Sequence, residues 1–67
     1  MTTQSYNVTG MTCGHCASAV TEELTRIAGV REVRVDVASG RVDVDSDQPL
    51  ADAAVRTAVD EAGYALA

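Results

Sequence analysis

A chain of 67 residues has room for one domain with a thin core, since a fold this small buries only about 60% of the surface its unfolded form exposes. Hydrophobic residues make up 46% of it, but Phe and Trp are absent and there are only 2 Tyr, so the core rests on Val, Ala, Leu and Ile, and a deep aromatic substrate pocket is not expected. A net charge of -5, with no Lys and all 5 positive charges from Arg, argues against nucleic acid and suits docking onto a basic patch of another protein.

The stretch from Met1 to Ser5 carries neither a basic region nor an apolar run, so no signal peptide is read. No apolar run approaches the roughly 20 residues that span a bilayer, and membrane insertion is not expected. The expected location is the cytoplasm, where a structural disulfide is disfavoured.

Ser5 to Val8 sets Tyr6 and Val8 on one face and predicts a short first strand. A helix is expected to start near Cys13 or Gly14, with Ala17, Val20, Leu24 and Ile27 as its apolar stripe, Glu22, Glu23 and Arg26 on the other side, and Gly29 as its stop. Val33, Val35 and Val37, then Val42 and Val44, alternate with charged residues around a turn at Ala38-Ser39-Gly40. That predicts a β-hairpin with one valine face and one charged face. Ser46-Asp47-Gln48-Pro49 is expected to open a second helix, capped by Asp47 or a neighbour, with Leu50, Ala54, Val55, Ala58, Val59 and Ala62 buried. Gly63 ends it, and Tyr64 to Ala67 leaves room for a stub of a last strand. The order βαββαβ predicts an α+β, ferredoxin-like sandwich: a four-stranded antiparallel sheet with both helices on its valine face.

Both cysteines, Cys13 and Cys16, lie in Gly10-Met11-Thr12-Cys13-Gly14-His15-Cys16, where the first strand gives way to the helix. A helix N-terminus presents unpaired N–H groups and partial positive charge, which favours the thiolate of Cys16 in the first turn. Gly14 lets the intervening loop bend tightly. Two thiolates without an evident third or fourth partner suit a soft cation content with low coordination, Cu(I) or Ag(I). Zinc normally takes four ligands, and His15 is the only histidine.

Gly-Met-Thr-Cys-x-x-Cys after a first strand, within a βαββαβ chain of this length, resembles the heavy-metal-associated domain, here spanning residues 1–67. The chain looks most like the bacterial cytosolic copper chaperones of that family. The resemblance implies that Cys13 and Cys16 bind Cu(I) near-linearly and pass it by thiolate exchange to a cysteine pair on a copper-transporting P-type ATPase. It implies a binding protein rather than an enzyme, and it allows a copper-bridged homodimer. Gly63-Tyr64 also resembles bacterial members, in which the Tyr lies near the metal loop.

Each candidate has a plainer reading beside it. Cys-Gly-His-Cys is also a thiol–disulfide exchange string, but the thioredoxin-like context of a Trp before the first Cys and a later facing Pro is missing. A metal-sensing regulatory module stays as an alternative. His15 reads as a solvated loop residue or as a tuner of the thiolates, ahead of a direct ligand. Met11 reads as core support beneath the loop rather than a thioether ligand. Tyr64 reads as a core-edge residue or as a shield over the metal. Asp43, Asp45 and Asp47 read as a solvated sheet face, with no carboxylate pair set for acid–base catalysis.

Overall fold

The computed structural model describes residues 1–11 and 14–67. Their order is β1 (Thr2–Thr9), α1 (Gly14–Thr25), β2 (Val30–Asp36), β3 (Arg41–Ser46), α2 (Asp52–Glu61) and β4 (Ala65–Leu66), with the strands in one antiparallel sheet of order β2-β3-β1-β4. This is the expected ferredoxin-like arrangement.

Valine builds the core. Val42 and Val44 of β3 are fully buried beneath Val20 and Leu24 of α1 and Val55, Ala58 and Val59 of α2, with Val8 and Met11 completing the cluster. Val33 and Val35 are only half-buried, because β2 is an edge strand. Val37 belongs to the turn and not to the strand: Asp36 pairs with Arg41, and residues 37–40 form the loop.

β1 is longer than the four residues predicted. Only Tyr6 and Val8 give an apolar alternation, yet the strand holds eight residues, because Thr2 to Asn7 pair with Ser46 back to Arg41 along the whole of β3. Gln4 fixes the lower part: its Oε1 accepts from Leu50 N–H at 2.7 Å and its Nε2 donates to Leu50 O at 3.4 Å.

α1 stops at Thr25, four residues before the glycine expected to end it. Arg26 to Gly29 form turns, and Gly29, at φ +89, swings the chain into β2. α2 begins later than predicted, with Ala51 at its N-cap and no side-chain cap. Asp47 is taken by Arg31, at 2.7 Å, and Pro49 and Leu50 run on outside the helix. The hydroxyl of Ser46, fully buried, donates to Gln48 O at 2.7 Å and turns the chain there. Ala54 is exposed, contrary to expectation, and Leu50 and Ala62 are half-buried.

The outer sheet face is polar, as the alternation predicts. Thr3 donates to Asp45 and Ser5 to Asp43, each at 2.7 Å, while Arg34 grips Asp45 and Glu32 and Arg41 grips Asp43. The hydrogen bond from Arg34, with that from Thr3, holds the Asp45 carboxyl down at about 2. On the inner face the Tyr6 hydroxyl is buried with no hydrogen-bond partner among the described residues, and burial, with the nearby Asp52 charge, pushes its pKa up.

Candidate metal centre

Of the predicted site residues, Met11, His15 and Cys16 lie where β1 hands over to α1, and Tyr64 lies against Gly10 beside them. Thr12 and Cys13 lie outside the described residues. α1 starts at Gly14, which puts Cys16 in its first turn, as expected, and His15 in the same turn of helix rather than in a loop. That turn holds no carboxylate, so no acid of its own offsets the positive end of the helix. His15 is exposed. Cys16 is half-buried and packs against the core cluster.

Met11 is 8% exposed and belongs to the core cluster, so the chain leaving β1 is pinned just before the cysteines. Its side chain sits among apolar groups, where a flexible thioether fills space well.

Tyr64 arrives from the far end of the chain. It follows α2, is half-buried against the core, and lies over Gly10. Gly10 has φ +90, and a Cβ built there would come 3.3 Å from Tyr64 Cδ1. Gly10 is therefore needed twice, for a backbone conformation L-residues rarely adopt and for the ring that covers it. The seat that Gly10 makes for Tyr64 has no signal in the local pattern. The Gly63-Tyr64 pair is the nearest hint.

Among the described residues no three of His, Cys, Asp and Glu gather as a metal cluster. Also among them, no helix is long and apolar enough to cross a membrane. What the described part of the site supplies is one sulfur in a helix's first turn, an imidazole beside it, and a Met and a Tyr that fix the loop's approach.

Comparison with known proteins agrees with this picture. The chain matches the heavy-metal-associated domain over residues 5–65. It is 38% identical over 65 residues to the copper chaperone CopZ of Staphylococcus aureus, covering 96% of each chain. Its fold is similar to that of a solved CopZ metallochaperone, with a TM-score of 0.90 and 36% identity over 98% of this chain and 100% of the other. A copper-binding domain from HMA7, a P-type ATPase, is similar at TM-score 0.89 and 28% identity, over 100% of this chain and 92% of its own. By sequence and by fold alike, the chain belongs to the heavy-metal-associated domain family.

Proposed function

We propose that this chain is a cytosolic Cu(I) metallochaperone, a single domain that carries the ion on Cys13 and Cys16 and passes it to a copper-exporting P-type ATPase. The observation that carries the reading is Cys16 in the carboxylate-free first turn of α1, at the end of a C-x-x-C run in a chain similar to CopZ along almost its whole length.

Capture replaces each thiol proton with metal, so two protons leave as the ion binds and affinity falls at low pH. Cu(I) keeps its oxidation state throughout. In transfer, a thiolate of the acceptor bonds to the ion first, and one sulfur of this chain then leaves. The second sulfur follows in the same way, and no free ion is released. Low coordination makes this possible, because an ion held by two sulfurs has room for a third. The likeness to a P-type ATPase's copper-binding domain supports such an acceptor, since donor and acceptor of similar shape can present matched cysteine pairs.

In this reading His15 tunes the thiolates from the solvent side, Met11 holds the loop from below, and Tyr64 shields the ion. Ag(I) is expected to bind the same pair. Two such loops can share Cu(I) in a copper-bridged homodimer.

The test is an anaerobic titration of the reduced protein with Cu(I) against a chromophoric chelator, with Cys13→Ser/Cys16→Ser as the control. Tight uptake of about one ion per chain, lost in the control, is expected. Failure to compete with a weak chelator overturns the proposal and directs attention to the reduction potential of the pair. His15→Ala is expected to shift the pH dependence of uptake; a collapse of affinity would instead make His15 a ligand.

A further inference from the structure

α2 ends in a left-handed turn that aims Tyr64. Ala62 caps the helix and Gly63 follows at φ +93. Two hydrogen bonds then run back over the last turn: Gly63 N–H donates to Asp60 O at 3.0 Å and Tyr64 N–H to Val59 O at 3.1 Å. This is the Schellman arrangement, which needs a left-handed residue just past the cap. Its anchor is firm, because Val59 is fully buried in the core. On the other side of Tyr64, Ala65 pairs with Thr9 and its carbonyl accepts from Thr9 Oγ1 at 3.2 Å. The cap thus sets the direction in which Tyr64 leaves α2, and β4 holds the segment down.

The ring so aimed meets the second left-handed glycine, Gly10, three residues before Cys13. The two glycines differ in what they need. At Gly10 a Cβ would press on the ring, whereas at Gly63 it would meet nothing within 4 Å. Only the backbone conformation therefore demands glycine at 63. A larger residue there has room, but it must bear the left-handed strain or leave that conformation. Leaving it breaks both backward hydrogen bonds and turns Tyr64 away from Gly10.

We propose that Gly63 is a positioning residue for the cysteine pair: its left-handed turn seats Tyr64 against Gly10, and it acts on the thiols wholly through that ring. The inference rests on reading Cys13 and Cys16 as the pair that carries the metal and Tyr64 as its shield. It adds that the end of α2, remote from the cysteines in sequence, decides how open they are.

Gly29 is the control for backbone strain. Its φ is +89, a Cβ there also meets nothing within 4 Å, and it lies beside Asp47, whose N–H it accepts at 2.9 Å, at the end of the sheet where β1 begins. The experiment uses the reduced, metal-free protein and two readouts: the chemical shifts of the Gly10 α-protons, set by the ring beside them, and the rate at which iodoacetamide alkylates the thiols. Gly63→Ala should move the Gly10 shifts toward those of Tyr64→Ala and speed alkylation about fivefold. Gly63→Asn, which takes the left-handed conformation more readily, should move both the same way with a rate change of about twofold, and it carries the test if Gly63→Ala fails to fold. Gly29→Ala should leave both at their native values. In the Tyr64→Ala background, Gly63→Ala should add nothing to the rate. Unmoved Gly10 shifts overturn the proposal, as do an unchanged alkylation rate, equal increases from Gly63→Ala and Gly29→Ala, or effects of Gly63→Ala and Tyr64→Ala that simply multiply. No copper is present, so a failure here leaves the carrier reading standing, and a failure to take up Cu(I) leaves these rates unaltered.

Discussion

Replacing Gly10 with Ala tests the contact that joins the two ends of the chain at the site. Gly29 supplies the control: its φ of +89 nearly equals the +90 of Gly10, but a Cβ at Gly29 meets nothing within 4 Å. Forcing an L-residue into that region costs about 1–2 kcal/mol. The reduced freedom of the unfolded chain returns about 0.4–1 kcal/mol. Gly29→Ala should therefore destabilise by about 1 kcal/mol net, which for an m-value of about 1 kcal/mol/M lowers the urea midpoint by about 1 M. Gly10→Ala carries the same backbone cost and also meets Tyr64 Cδ1 at 3.3 Å, so the ring must give by a few tenths of an ångström. Tyr64 packs on the core, and displacing it should add about 1 kcal/mol, for a midpoint about 2 M lower. Urea unfolding of both variants in the native and Tyr64→Ala backgrounds closes a double-mutant cycle. The extra cost at Gly10 should vanish without the ring. Equal costs for the two glycines in the native background would refute the reasoning.

Leu24 is fully buried between the layers, so Leu24→Ala should cost about 3 kcal/mol and leave much of a small domain unfolded at room temperature, as far-ultraviolet circular dichroism would show. Tyr6→Phe removes a buried hydroxyl that has no partner among the described residues and should raise stability by about 0.5–1 kcal/mol in the same urea assay; a loss would show that the hydroxyl is satisfied in solution. The Asp45 carboxyl titrates at about 2 in the folded protein, below its unfolded value of about 3.9, so its contribution is whole above about pH 4 and is lost as the pH falls toward 2. Urea midpoints measured down that range should fall, and Arg34→Gln, which removes the largest cause of the shift, should flatten the slope.

Where one rule governs a stretch, the sequence is easy to read. Strict alternation marks the β2–β3 hairpin and its buried valines, and spacings of three and four mark the inner stripe of α1. The motif from Gly10 to Cys16 and its place at the start of a helix are legible because glycine and paired cysteines carry their own chemistry. Failures come where distant pairing overrides a local signal. Polar Thr2 to Gln4 form strand because β3 lies alongside. Asp47 has the chemistry of a cap but is held by Arg31, and Pro49 suits a first turn but precedes an uncapped start at Asp52. Gly10 under Tyr64 is the same kind of case at the site, a contact between segments that no window of sequence holds together.

The strand order has a consequence for how the chain comes together. Only β2 and β3 are neighbours in both sequence and sheet, so the hairpin can close early over its four-residue turn at 37–40. β1 must wait for β3, and β4 must travel back almost the length of the chain to reach Val8 and Thr9, at a greater cost in loop-closure entropy. A half-assembled chain with its hairpin made and its last strand adrift would already hold Cys16, yet Gly10 would still lack its covering ring. The ring over Gly10 is thus a sign of completed folding, and it is the contact beside α1's start that local opening of the last strand would remove first.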